Sequence, residues 1–284
     1  PNIQSKDEVG KLNESFIYMK RALKQYIKEL TETTAVKERI ESELKIAHDI
    51  QMSILPKIFP PFPDRREFEI YATIEPAKEV GGDFYDFFFV DDDNLCFTIG
   101  DVSGKGVPAS LFMAVTKTLI KAKSSKDILP DEILTKVNEE LCSENDFGMF
   151  VTIFCGVLNT RTGEVCYSNG GHNLPYVLHS HGGIEPLKNT GGMGLGVIED
   201  TKFETKKITL HTGDLLFLYT DGVTEAMDTE GNLFSDGRLK KFLERANGLG
   251  AREIISGAIN EINIFSSGAP QSDDITVLAI KYLQ

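Results

Sequence analysis

The residues best suited to chemistry in this chain are aspartates set beside glycine or beside a second aspartate. Asp83 lies in Gly81-Gly82-Asp83-Phe84-Tyr85-Asp86, and Asp101 in Gly100-Asp101-Val102-Ser103-Gly104-Lys105-Gly106. Asp221 lies in Thr220-Asp221-Gly222, and Asp273-Asp274 stands directly before the last predicted strand. All fall at the ends of predicted strands, where carboxylates from distant parts of a chain can converge. Adjacent glycine there lets backbone carbonyls and water approach closely. Hard divalent cations such as Mg2+ or Mn2+ take such oxygen ligands. Taken singly, each motif reads as readily as a turn or a solvated loop.

The elements that must position these residues follow a Pro-rich link, 56–63. Predicted strands span 68–74, 84–90, 95–99, 151–158, 164–169, 176–178, 203–209, 214–219 and 275–282. Predicted helices span 108–123, 130–143, 235–246 and 251–265, with Pro108 near a first helical turn, where its missing N–H costs little. Thr162-Gly163 is a turn between two strands, and Gly170-Gly171, Gly182-Gly183 and the Gly-rich run 191–196 suit joints. Consecutive strands dominate and no regular strand-helix-strand repeat occurs. The expectation is therefore an α+β sandwich of two mainly antiparallel sheets flanked by helices.

Residues 11–55 differ in character: a Pro-free stretch rich in Lys, Glu, Leu and Ile that predicts one long helix ending at Pro56. Alternate steps of three and four give Leu12, Phe16, Met19, Leu23, Tyr26, Leu30, Thr33, Lys37, Ile40, Leu44, Ala47, Gln51 and Ile54. All but Thr33, Lys37 and Gln51 are apolar, which reads as a dimeric coiled-coil seam with a weak middle, in preference to a helix folded back on its own domain. The expected division is 1–55 as a signalling helix and 56–284 as a globular domain.

The whole chain has 284 residues, 30 Lys and Arg against 43 Asp and Glu, and a net charge of -13. This acidic balance argues against nucleic acid or an anionic membrane surface as partner. Cys96, Cys142, Cys155 and Cys166 are scattered singly, as buried free thiols are, without zinc-knuckle spacing. No run of about 18 apolar residues appears. The sequence does not begin with Met, which reads as an excised fragment and leaves room for a membrane segment upstream.

Two resemblances sharpen these readings. Asp7 to Leu23, DEVGKLNESFIYMKRAL, resembles the second helix of a HAMP linker. From about Ala47 to the C-terminus the chain resembles the PPM superfamily of metal-dependent serine/threonine phosphatases, in its bacterial SpoIIE/RsbU branch. The carriers are Ala47-His48-Asp49-Ile50-Gln51 with Leu55-Pro56, the segments around Asp83 and Asp101, Asn169-Gly170-Gly171-His172-Asn173, Gly194-Leu195-Gly196, Tyr219-Thr220-Asp221-Gly222-Val223-Thr224-Glu225 and Asp273-Asp274-Ile275-Thr276.

The resemblance implies a PPM-type αββα sandwich and a protein phosphatase with two bridged divalent cations, Mn2+ or Mg2+. Carried over by motif, Asp101 bridges both ions, Asp221 and Asp273 hold one, and the Val102 carbonyl with Asp83 completes the other. Asp86 and Asp274 rank behind these as supporting or third-ion ligands. The implied substrate is a phosphorylated anti-anti-sigma (STAS) protein in a partner-switching pathway. The implied setting is the cytoplasmic part of an inner-membrane sensor, dimeric through its N-terminal helix. The Arg that eukaryotic relatives place in their first strand to hold phosphate has no counterpart in 68–74.

Other readings fit less well. Gly81-Gly82-Asp83-Phe84 resembles the start of a GGDEF cyclase signature but has Phe84 where Glu belongs. The Gly100–Gly106 loop lacks P-loop spacing, and the 191–196 run lacks dinucleotide-loop spacing. The alternative kept open is a phosphatase-like binding module without turnover. The histidines, His172 included, read as structural or surface residues.

Overall fold

The computed structural model describes residues 8–143 and 145–284. Asp7, with which the HAMP-like segment opens, lies outside them. The chain forms α1 (Glu8–Ile54), β1 (Phe68–Glu75), β2 (Phe84–Phe89), β3 (Asn94–Val102), α2 (Val107–Lys123), α3 (Pro130–Ser143), β4 (Val151–Asn159) and β5 (Glu164–Gly170). It continues with β6 (Tyr176–Leu178), β7 (Ile184–Pro186), β8 (Lys206–Thr209), β9 (Leu215–Tyr219), α4 (Asp221–Thr224), α5 (Ser235–Arg245), α6 (Ala251–Phe265) and β10 (Ile275–Tyr282).

The strands make two five-stranded sheets, β1-β10-β9-β6-β7 and β2-β3-β4-β5-β8, antiparallel at every pairing. Period-two alternation explains how they stack. Phe68, Ile70 and Ala72 of β1 point inward and meet Phe97, Phe154, Leu218 and Ile280 between the sheets. The opposite face of the first sheet, with Phe217, Val277 and Ala279, packs on Leu239, Leu243, Ile255 and Ala258 of α5 and α6. The opposite face of the second, with Cys96, Ile153 and Cys155, packs on Met113, Ile120, Leu134 and Val137 of α2 and α3. This is the expected αββα sandwich, and all four cysteines are free thiols.

Several boundaries differ from expectation for local reasons. β3 continues to Val102, because Asp101 and Val102 pair with Thr152 and Val151 of β4; Asp101 is therefore inside the strand. β8 starts at Lys206, since Phe203 is buried in the α2–α3 layer instead. Asp214 stands before β9, where its carboxylate accepts the Ser180 and His211 N–H groups and fixes a turn. The short strand β7 and the single turn α4 were not foreseen.

The chain divides into two compact units, one ending at His48 and one spanning Asp49–Gln284. In the first, Leu12, Phe16, Met19, Leu23, Tyr26, Leu30 and Ile40 are all exposed. The last turn of α1 belongs to the second unit, where Gln51 and Leu55 are buried. Among the described residues, no helix is long and apolar enough to cross a membrane.

Candidate metal centre

Sheet register brings the aspartates to one end of the sandwich. In the first sheet, Glu75 pairs with Ile275 and Val277 with Tyr219, so Asp273-Asp274 and Asp221 lie just beyond neighbouring strand ends. In the second sheet, Phe84 pairs with Gly100, which sets Asp83 beside Asp101. The 76–83 loop joins β1 to β2 and thus closes the two sheets over the same end.

Asp274 ties these segments together. Its Oδ1 accepts the Ala77 N–H at 2.8 Å, and its Oδ2 accepts those of Gly82 at 2.9 Å and Asp83 at 3.4 Å. Such close packing requires glycine. A Cβ on Gly222 would come within 1.9 Å of the Asp274 carbonyl oxygen, and one on Gly82 within 2.8 Å of the Val102 carbonyl oxygen.

The electrostatics of the cluster are those of a site that needs positive charge. Asp83 is buried, and its Oδ2 accepts a 2.7 Å hydrogen bond from the Thr220 hydroxyl. Burial, then the charges of Asp101 and Asp274, hold its carboxyl well above the usual range, against the hydrogen bond from Thr220. Asp101 is pushed up to about 7, by burial first and the Asp221 charge second, while a hydrogen bond with Asp83 opposes the rise. Asp221 is raised by burial and by the charges of Glu225 and Asp273.

Asp273 directs Oδ2 to the Lys105 ammonium, 2.9 Å away, and its Oδ1 accepts the Asp274 N–H. Among the described residues, no three Asp, Glu, His or Cys side chains close on a single point tightly enough to hold an ion as they stand. The donor set is nonetheless the right one for a hard cation. It consists of carboxylates plus the Val102 carbonyl, crowded so that their own charges oppose ionisation.

The structure brings Asp83, Asp101, Val102, Asp221, Asp273 and Asp274 to this end of the fold. Asp86, three residues beyond Asp83 on β2, is instead ion-paired with Lys117 of α2 at 2.7 Å, both side chains nearly buried. His172 is buried behind the cluster: its Nδ1 is hydrogen-bonded to the hydroxyl of Thr152, the β4 partner of Asp101. His172 also exchanges backbone contacts with the Asn169 side chain, which fixes the Gly-Gly turn. Burial holds the ring down to about 4, so it stays neutral.

Two features were not recognised from residue types. Thr220, adjacent to Asp221, places its hydroxyl on Asp83. Gln51, read as a polar fault in the helical seam, is buried and grips Gly81 with both ends of its amide. Its Nε2 donates to the Gly81 carbonyl at 2.7 Å, and its Oε1 accepts the Gly81 N–H at 3.1 Å. The signal was present in the sequence as a Gln one turn before the helix-ending Pro56.

The two-sheet sandwich thus gathers its carboxylates at one end. The profile described as "Stage II sporulation protein E (SpoIIE)" matches residues 91–283, and the chain belongs to this family. It is 33% identical to Protein IcfG of Synechocystis sp. over 96% of this chain and 46% of that protein. It is 27% identical to Phosphoserine phosphatase RsbU of Bacillus subtilis over 87% of this chain and 72% of that protein. Among solved structures, the SiaA-PP2C domain of Pseudomonas aeruginosa superposes with a TM-score of 0.77 at 21% identity, covering 87% of this chain and 99% of that one. The chain thus spans about half the length of IcfG and most of RsbU.

Proposed function

We propose that this domain is a metal-dependent protein phosphatase that hydrolyses phosphoserine or phosphothreonine on a regulatory protein of the STAS type. The observation that carries this reading is the gathering of Asp83, Asp101, Asp221 and Asp273 around a common end of the sandwich, with Asp83, Asp101 and Asp221 resisting ionisation. Two divalent cations, Mn2+ or Mg2+, would be held by Asp101 in common, by Asp221 and Asp273 on one side, and by Asp83 and the Val102 carbonyl on the other. Asp274 supports that set from the loop it binds. When bound, such ions make water nucleophilic near neutral pH and neutralise phosphoryl charge.

The chain's own residues position the reacting groups. Thr220 orients Asp83, and Gln51 and Asp274 fix the 81–83 backbone. Water supplies the oxygen that bonds to phosphorus as the bond to the seryl oxygen breaks. That oxygen leaves with a proton, giving the unmodified protein and inorganic phosphate.

A protein substrate suits the surroundings. Beside Lys105 an open groove of about 830 Å³ is lined by Val107, Leu111, Phe112, Val115, Phe147 and Met149. Control by an upstream sensor is part of this reading: the last turn of α1 carries Gln51, which grips Gly81, and the exposed apolar seam of the helix suits a dimer. A binding module without turnover is favoured by one observation, the engagement of Asp273 by Lys105. Incubation with a phosphorylated STAS protein and Mn2+, followed by mass spectrometry, separates the two. Loss of the phosphoryl group that EDTA prevents supports the phosphatase; an intact phosphoprotein in the presence of a folded, metal-loaded chain refutes it.

A further inference from the structure

We propose that Lys105 grips the phosphoryl group of the substrate, an assignment that rests on the phosphatase reading above. A dianionic phosphoryl group entering a ring of carboxylates needs a cationic side chain at the rim, and few candidates remain. β1, Phe68–Glu75, contains neither Lys nor Arg. Arg65 is committed elsewhere: it stacks over Phe89 at 4.4 Å, pairs with Glu67 and donates to the Asp92 carbonyl, beyond the end of β2 opposite to Asp83. Lys117 is taken by Asp86.

Lys105 is placed differently. It projects from the turn that follows Asp101 and Val102, and its ammonium lies 2.9 Å from Asp273 Oδ2 and 2.6 Å from the Ser272 carbonyl oxygen. An ammonium has three N–H donors in a tripod. Two are engaged by the 272–273 segment, which holds the group on the rim, and the third is left for a phosphoryl oxygen. Gly104 and Gly106, both at positive φ with open space where a Cβ would stand, keep the two sides of the lysine clear.

The test is equilibrium binding of inorganic phosphate to the Mg2+-loaded full chain, followed by calorimetry, with Mg2+ affinity measured on the same samples. Lys105→Gln is expected to weaken phosphate about ten- to a hundredfold. Mg2+ affinity should stay the same or tighten, because a competing cation has left Asp273. Lys105→Arg should recover most of the phosphate affinity, and Lys78→Gln, an exposed lysine on the neighbouring loop, should retain it.

Phosphate affinity within twofold of native in Lys105→Gln would overturn the proposal. So would a parallel fall in Mg2+ affinity, which would make Lys105 a structural tie between loops, and so would a native chain that binds no phosphate. Because the readout is binding, absence of turnover on a phosphoprotein would refute the phosphatase reading while leaving this measurement decisive for Lys105.

Discussion

Replacing Asp101 with Asn should make the metal-free protein more stable and the metal-loaded protein less so. The Asp101 carboxyl is displaced from 3.8 to about 7, by burial and by Asp221. Each tenfold change in proton affinity is worth about 1.4 kcal/mol, so ionising Asp101 in the fold costs about 4 kcal/mol. Partial access to water and movement of neighbouring carboxylates reduce this to about 2–3 kcal/mol. The folded chain binds its proton more tightly than the unfolded chain, so stability falls as pH rises from about 4 to about 7 and is level above that. Asn imitates the protonated form and escapes the loss. In urea titrations at pH 8 with EDTA, Asp101→Asn should therefore gain about 2–3 kcal/mol over the native chain, and the gain should vanish below pH 4. With Mn2+ at a thousand times its dissociation constant, the native chain alone should gain about 4.1 kcal/mol, which reverses the order. A variant less stable than native in EDTA at pH 8, or one stabilised equally by Mn2+, would refute the reasoning.

Further outcomes follow from other contacts. Gln51→Ala removes both bonds to Gly81 and should weaken Mn2+ affinity about tenfold while the domain stays folded, as measured by calorimetry and circular dichroism; unchanged affinity would detach the helix end from the site. His172 is held at about 4 against 6.5 for a free ring, so the unfolded chain takes up this proton first. Its contribution is complete above pH 6.5 and lost as pH falls toward 4, by about 3 kcal/mol, and His172→Asn should lack that component in urea titrations at pH 7.5 and 5. Lys117→Met, which leaves Asp86 buried and unpaired, should cost about 3–5 kcal/mol, and adding Asp86→Leu should restore most of it; equal losses in the single and double variants would contradict this. A chain lacking residues 1–45 should sediment as a monomer and the native chain as a dimer; a monomeric native chain would remove the coiled-coil reading.

The sandwich was legible because its short, largely apolar strands are separated by unmistakable joints, of which Thr162-Gly163 is one. Where a polar residue sits inside a paired strand, that signal fails. Asp101 looks like a terminator, and only its pairing with Thr152 shows that β3 runs on. β7 is three residues including Pro186, too short and too irregular to declare itself.

The carboxylates at the site could be named from their neighbours, since glycine at 82 and 222 is demanded by close backbone approach. Their partners could not. Lys117 resembles any helix lysine until Asp86 is found opposite it, and Gln51 resembles an interrupted seam until Gly81 is found in its grip. Residue types alone do not distinguish the two aspartates of the 273–274 pair, which only the resemblance to the phosphatase family ranks. The fold turns one toward Lys105 and the other toward the backbone N–H groups of the 77–83 loop.

Phosphate release from a phosphorylated STAS protein with Mn2+, comparing the native chain with Asp101→Asn and Asp221→Asn, each shown to be folded, decides whether the aspartate cluster is a hydrolytic metal site. Metal-dependent turnover is expected in the native chain, with a loss of about a thousandfold or more in both variants. Turnover that survives either substitution, or that proceeds equally in EDTA, would contradict it.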